Sequence, residues 1–151
     1  SISMGEDIEF RWRAFYHARD VAIIPEVLVH YVQHGSSITR ALDPKRFPPS
    51  SWLDPRKFLD YLEACGEKDE RLIFALQNYV MPKFAVRRFR NYVAYGIEDL
   101  FWRNLDDKKM RHMLKRGFNS FMRSPGLAFK CFLLLCFPKV FYHHYKPNKD
   151  L

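Results

Sequence analysis

Two adjacent carboxylates near the start of the chain, Glu6 and Asp7, belong to the residue types that carry out general acid–base chemistry. They open a segment, residues 5–19, in which apolar residues recur at spacings of three and four, as on one face of a helix. Carboxylates in the first turn of a helix also favour the positive end of its dipole and cap its free N–H groups. The residues alone therefore leave two interpretations of the pair open, catalytic or capping.

A polar loop, residues 34–40, follows two short stretches rich in β-branched residues, 21–24 and 27–32. These stretches flank Pro25-Glu26 and predict a short β-hairpin. Two strands alone do not make a stable sheet, so we expect the hairpin to belong to a larger sheet whose other strands lie outside this chain. The histidine of the loop has an ordinary interpretation as a solvated side chain and a functional one, and both stay open.

An ordered series of residues runs through this region. It comprises Gly5, Glu6, Asp7, Phe10, Arg13, Ala18, Arg19, the Pro25-Glu26 turn, Tyr31, His34, Ser37, Ile38 and Thr39. Each piece is weak by itself, whereas the order is much more specific. The series resembles the end of the catalytic domain of family 2 glycosyltransferases, and the resemblance covers about a quarter of the chain.

The resemblance implies a GT-A fold and an inverting transfer of a sugar from a nucleotide-diphosphate donor to a hydroxyl acceptor, in cell-surface polysaccharide or lipid-linked glycan synthesis. Within it, Asp7 would be the general base and Glu6 its neighbour on the acceptor side. The loop residues would close over the donor or its phosphates. Residues that the resemblance assigns to substrate binding are His34, Ser37, Thr39, Arg13 and Arg40, with Arg13 also interpretable as an ion-pair partner.

The same resemblance implies a divalent metal, Mn²⁺ or Mg²⁺, that neutralises the leaving diphosphate and is held mainly by an Asp-x-Asp motif. That motif does not occur in residues 1–151, and nothing here resembles the nucleotide-binding half of a GT-A sheet. We therefore expect a C-terminal portion of a longer enzyme, inactive alone, with the metal bound mainly outside this chain.

The fold class predicted is mainly α with a short β-hairpin, in which the end of a GT-A α/β domain is followed by a helical extension. We expect residues 1–40 to finish the catalytic domain, the proline-containing residues 41–52 to form a linker, and residues 53–151 to be helical. Helices are predicted from Asp54-Pro55 to Gly66, over 67–95 with a break or kink at Pro82, from Asp106 to about Met122, and from Ser124-Pro125 onward with an interruption at Pro138.

The net charge of +8 lies at the C-terminal end, because residues 108–151 hold ten Lys or Arg against one acid. Aromatic and aliphatic residues are interleaved with these cations. Their apolar run is too short to cross a bilayer, which predicts a helix lying on an anionic membrane surface. The predicted membrane contacts are Lys108, Lys109, Arg111, Lys115, Arg116 and Lys130. A solvated basic face on a packed helix is the alternative.

Nucleic-acid binding is disfavoured, because no recognised nucleic-acid motif accompanies the basic residues. Three cysteines at irregular spacing predict neither a disulfide framework nor a zinc site, and we expect buried, reduced thiols. The leading hypothesis is thus a cytoplasmic glycosyltransferase, peripheral at the inner face of the membrane. The second hypothesis is a non-catalytic helical module that binds a membrane surface or a partner protein.

Overall fold

The computed structural model describes residues 6–23, 25 and 56–147. The chain divides into two compact units, Ser1–Asp54 and Pro55–Leu151. In the first unit the described residues form one helix, α1 (Glu6–His17), followed by residues without regular secondary structure. The helix predicted over residues 5–19 is confirmed within two residues at each end.

The predicted hairpin lies mostly outside the described residues, which end at 25 in this part of the chain. Residues 21–23, the start of its first strand, have no regular secondary structure, and no strand occurs anywhere in the described ranges. A strand exists only when its backbone groups pair with a neighbouring strand, and the described residues contain no such neighbour.

The second unit is built from helices, as predicted, and the mainly α fold class is confirmed. Its elements are α2 (Arg56–Ala64), α3 (Glu70–Ala75), a π-helical segment (Leu76–Val80), α4 (Met81–Ala94), α5 (Glu98–Asp106), α6 (Lys108–Arg116), a 3₁₀ turn (Gly117–Ser120), α7 (Pro125–Cys136) and α8 (Pro138–Tyr145).

Short-range sequence features mark where these helices begin and end. Gly66 and Gly96 follow α2 and α4 with φ of 71° and 66°, a left-handed conformation that glycine adopts without a Cβ penalty. The carboxylate of Asp107 accepts a hydrogen bond of 2.8 Å from the backbone N–H of Met110 and so caps α6. The predicted start at Asp106 is wrong by one residue, because Asp106 is the last residue of a separate helix, α5.

The helical path continues through Pro82 where a break or kink was predicted. Pro82 has no N–H, and its ring crowds the carbonyl four residues earlier in a regular α-helix. Directly before it, the Met81 N–H bonds to the carbonyl of Leu76, five residues back, which is the wider π-helical pattern. The extra residue in that turn accommodates the proline, so α3, the π segment and α4 run on without interruption.

The core of the second unit is organised around α4, which packs against α5, α6, α7 and α8. Aromatic rings fill the centre: Phe89 of α4 lies 5.3 Å from Phe101 of α5, and Phe101 lies 5.2 Å from Tyr142 of α8, both edge-to-face. Phe89 and Phe101 are fully buried. Such pairs contribute about 0.5–1.5 kcal/mol each beyond the burial of their area, so this cluster fixes α8 against α4 and α5.

Candidate functional site

The predicted catalytic pair, Glu6 and Asp7, occupies the first turn of α1. Arg13 lies two turns further along the same helix and forms an ion pair with Glu9, four residues before it. This is the ion-pair role that was one of the two interpretations of Arg13. The other residues that the resemblance assigns to substrate binding, His34, Ser37, Thr39 and Arg40, lie outside the described residues.

Helix α6 carries most of the predicted membrane contacts. Its apolar residues Met110 and Leu114 are buried, and the helix packs against α4, α5 and α7. Lys108, Lys109 and Lys115 are exposed on the remaining surface. The apolar side of α6 is therefore used by the fold, and its exposed lysines remain available to a partner.

The two arginines of α6 are less available than the lysines. Both Arg111 and Arg116 are half-buried. The Arg116 guanidinium donates one hydrogen bond to Gln77 of the π segment and another, of 3.1 Å, to His112. Arg116 thus ties α6 to the π segment, which makes a structural role for it more direct than a membrane contact.

Helix α7 differs from α6 because its outward side is also apolar. Its inner side, Leu127, Ala128, Cys131 and Leu134, is buried. Its outer side exposes 60% of Phe129, together with Phe132, whose ring lies 5.7 Å from that of Phe137 just beyond the helix. We call Phe129, Phe132 and Phe137 the aromatic face.

The turn that leads into α7 adds two more apolar side chains, Phe121, which is 61% exposed, and Met122, which is 90% exposed. Among the described residues, no single helix is long and apolar enough to cross a membrane. Helices α7 and α8 would pass that test only as a pair, and they meet at a bend of 116°.

A cavity of about 470 Å³ lies between α4 and the start of α7. Its lining contains four basic side chains and no carboxylate: Lys83, Arg87 and Arg90 from α4 and Lys130 from α7, with Tyr79, Val86, Asn91, Ser124, Gly126 and Leu127. We call this cavity the basic pocket. Lys130 was predicted as a membrane contact, but it is half-buried and belongs to the wall of this pocket.

The three cations of α4 follow one another at spacings of four and three residues, so they lie on the same side of the helix. Aromatic rings orient two of them: the Lys83 Nζ lies 5.5 Å from the centre of the Tyr79 ring, and the Arg90 guanidinium carbon lies 4.8 Å from the centre of the Tyr145 ring. Within the part of the chain that the structure describes, no carboxylate forms an ion pair with any of the four pocket cations.

The basic pocket was missed at the level of sequence because the positive charge was assigned to residues 108–151. Three of the four pocket cations come from the earlier, almost neutral part. The available signal was local: between Glu70 and Glu98 the sequence contains no acidic residue, while it contains five basic ones. That stretch carries the helical spacing that brings Lys83, Arg87 and Arg90 together.

The cysteines and histidines form no recognisable site in the described ranges. Cys131 is fully buried, whereas Cys65 and Cys136 are exposed, so the expectation of buried thiols holds for one of three. Burial raises the pKa of Cys131 to about 12, which keeps its thiol protonated at neutral pH. No group of three His, Cys, Asp or Glu residues that could hold a metal ion occurs among the described residues.

Comparison of the chain with protein-family models, with curated proteins and with solved structures found no match.

Proposed function

We propose that this chain is the C-terminal portion of an inverting glycosyltransferase whose helical unit docks on an anionic membrane surface. The single observation that carries the docking is the aromatic face of α7, which remains exposed although α7 packs against α4 and α6. The enzymatic part rests on the ordered series of residues in 5–40. The two parts have separate support and are tested separately.

A membrane surface matches the chemistry of this region. Fully burying one fully exposed large apolar side chain contributes about 1.5–3 kcal/mol, and the three phenylalanines are about half exposed, so their entry into the headgroup boundary would supply roughly 2–5 kcal/mol. Helix α6 packs directly against α7 and exposes Lys108, Lys109 and Lys115. Each lysine near an anionic surface adds about 1 kcal/mol. Aromatic insertion and lysine attraction therefore act together.

In the proposed reaction the acceptor hydroxyl oxygen attacks the anomeric carbon of the donor as the bond to the nucleotide diphosphate breaks, and Asp7 takes the hydroxyl proton. Glu6 would lie beside it on the acceptor side. A Mn²⁺ or Mg²⁺ ion that neutralises the leaving diphosphate would be held mainly outside this chain, as the resemblance implies. A lipid-carried acceptor suits an enzyme on the membrane, because both then diffuse in the same plane.

Binding to vesicles tests the docking. We expect the chain to sediment with vesicles of phosphatidylcholine and anionic phosphatidylserine, and Phe129→Ser with Phe132→Ser to weaken this binding at least tenfold. Phe74→Ser is a matched control, because Phe74 is also exposed but lies on α3. Binding by the double variant equal to that of wild type would contradict the role of the aromatic face.

The lysines supply a second, graded test. Replacing Lys108, Lys109 and Lys115 by Gln removes about 3 kcal/mol of attraction, so affinity for anionic vesicles should fall roughly 100-fold and binding should lose most of its salt dependence. These residues are exposed, so the melting temperature should stay unchanged. If the wild type and the triple variant bind vesicles with equal affinity, the basic face of α6 is a solvated surface and not a membrane contact.

Transfer is tested in a longer protein that includes any coding sequence upstream of Ser1. Titration with UDP-sugars should show binding that requires Mn²⁺ in the longer protein and no Mn²⁺-dependent binding in the present chain. In the longer protein Asp7→Asn should lower the turnover rate by about 10²–10⁴-fold while folding is retained. Retained turnover would contradict the base assignment, and an absence of Mn²⁺-dependent donor binding in both proteins would favour the non-catalytic module.

A further inference from the structure

We infer that the basic pocket between α4 and the start of α7 is a binding site for a diphosphate or phosphate group. This inference does not rest on membrane docking or on glycosyl transfer, because it uses different residues and can be tested in solution.

The cations of α4 that line the pocket are unfavourable for the stability of the fold. Like charges spaced three or four residues apart on a helix repel each other by a few tenths of a kcal/mol per pair. Lys83, Arg87 and Arg90 stand in this relation, and none of them forms an ion pair within the described part of the chain. Arg13 of α1, by contrast, has Glu9 at the complementary position. A bound anion would remove the repulsion that no carboxylate among the described residues compensates.

Positive charge converges on the pocket from two helices. Lys130 reaches the pocket from α7, so cations stand on both walls of the cavity. A diphosphate carries two to three negative charges, which balances these cations better than a single carboxylate would. Arginine guanidinium groups bind phosphate oxygens with two parallel hydrogen bonds, and lysine acts as a point charge beside them.

The size and openness of the cavity fit such a ligand. Its volume of about 470 Å³ falls within the usual range for small-ligand sites, roughly 300–1,000 Å³. A Cβ added at Gly126 would meet nothing within 4 Å, so the space beside the first turn of α7 is open. The positive end of the α7 dipole adds to the potential there, but the four side chains carry the site.

The diphosphate can come from a soluble molecule or from a lipid. Lys130 directly follows Phe129, so the pocket cation and the aromatic face are about 100° apart around α7. An apolar chain attached to a bound diphosphate would have the aromatic face within reach. Both sources share the same phosphate chemistry and differ only in whether Phe129 contributes.

Calorimetry with inorganic pyrophosphate tests the shared chemistry. We expect binding to the wild-type chain and an affinity at least tenfold lower in Arg87→Gln and in Lys130→Gln, because each loses a charged hydrogen bond. Lys109→Gln removes the same charge from α6, outside the pocket, and should change the affinity less than twofold. Circular dichroism checks that all variants keep the wild-type helix content.

Two results would overturn the inference: no pyrophosphate binding by the folded wild-type chain, or an equal effect of Arg87→Gln and Lys109→Gln. Farnesyl diphosphate then distinguishes the sources. Tighter binding than pyrophosphate, lost in Phe129→Ser, identifies a lipid-linked diphosphate, and equal binding of both probes identifies a soluble one. Failure of vesicle docking leaves the pyrophosphate result unaffected, so the two proposals fail independently.

Discussion

Helices α6 and α7 are neighbours of similar length that pack against the same helix, α4, yet their outer sides are opposite in character. Helix α6 buries Met110 and Leu114 and exposes lysines, as an amphipathic surface helix does. Helix α7 buries four residues and exposes the aromatic face. The fold explains the outer side of α6 but not that of α7.

The different outer sides of α6 and α7 change how the basic C-terminal region is interpreted. The basic and apolar residues of 108–147 together predict a helix on the membrane surface, with apolar side chains in the headgroup region and Lys and Arg meeting anionic lipid. The structure separates these properties, with the lysines on α6 and the exposed aromatic residues on α7. Membrane docking by apolar insertion would therefore depend on α7 and the turn before it, and the lysines of α6 would add electrostatic attraction.

The largest expected losses of stability come from substitutions on the inner sides of α6 and α7, where the two helices should behave alike. Leu114 of α6 and Leu134 of α7 have no exposed surface. Each Leu→Ala substitution should lower the free energy of unfolding by about 2–5 kcal/mol, through lost burial and a residual cavity. Urea denaturation measures this, with Lys109→Ala and Phe129→Ala as outer controls expected within about 0.5 kcal/mol of wild type.

A small effect of Leu134→Ala beside a large effect of Leu114→Ala would contradict the comparison. It would mean that α7 is held less firmly than α6, in which case the exposed aromatic face would belong to a loosely attached helix and not to a fixed surface.

A smaller loss of stability is expected from a substitution in the turn that joins α6 to α7. A Cβ placed on Gly117 would lie 2.5 Å from the Cys131 Sγ and 3.1 Å from the Pro82 Cβ, so α7 approaches this turn too closely for a side chain. Gly117→Ala should cost about 1–3 kcal/mol by overpacking. Adding Cys131→Ala removes the nearest atom and should recover part of that loss, which a double-mutant cycle measures.

An additive result, with no recovery in the double variant, would contradict the close approach of α7 to the turn. Gly126→Ala is the matched glycine control, because a Cβ at Gly126 meets nothing within 4 Å. It should leave the free energy of unfolding nearly unchanged.

The local signals in the sequence were sufficient for most of the helices. Pro55, Pro125 and Pro138 with their preceding residues, and Gly66 with its left-handed backbone, act within a few residues and can be recognised from the chain alone. Helix α5 (Glu98–Asp106) was not predicted, and the start of α6 was placed one residue early because Asp106 and Asp107 are adjacent and only Asp107 caps α6. The π segment before Pro82 depends on packing that no local pattern specifies.

The candidate sites were predictable to a lesser degree, for a different reason. The basic pocket joins Lys83 to Lys130 across 47 residues, and no periodicity within either helix states that the two meet. The exposure of the aromatic face also depends on which side of α7 the core occupies. Because every residue of α7 except Lys130 is apolar or small, its sequence pattern does not select an inner side.

The two cysteines of α7 allow its inner and outer sides to be compared within one helix, because Cys131 lies on the inner side and Cys136 on the outer side. Burial raises the pKa of Cys131 from an ordinary value of 9.0 to about 12. At pH 8 roughly one Cys131 thiol in 10⁴ is then ionised, so a thiol reagent should modify Cys136 rapidly and Cys131 only through unfolding. Mass spectrometry of a Cys65→Ser variant measures the two rates.

The raised pKa of Cys131 also makes the free energy of unfolding depend on pH. The folded state binds the Cys131 proton more tightly than the unfolded state does. The stabilisation from this buried, protonated thiol is therefore complete below about pH 9 and is lost as the pH rises towards 12. Cys131→Ala should therefore flatten the fall in stability over that range, whereas Cys136→Ala should not. Equal labelling rates for Cys131 and Cys136 at pH 8 would show that the inner side of α7 opens to solvent, and the distinction between its two sides would then fail.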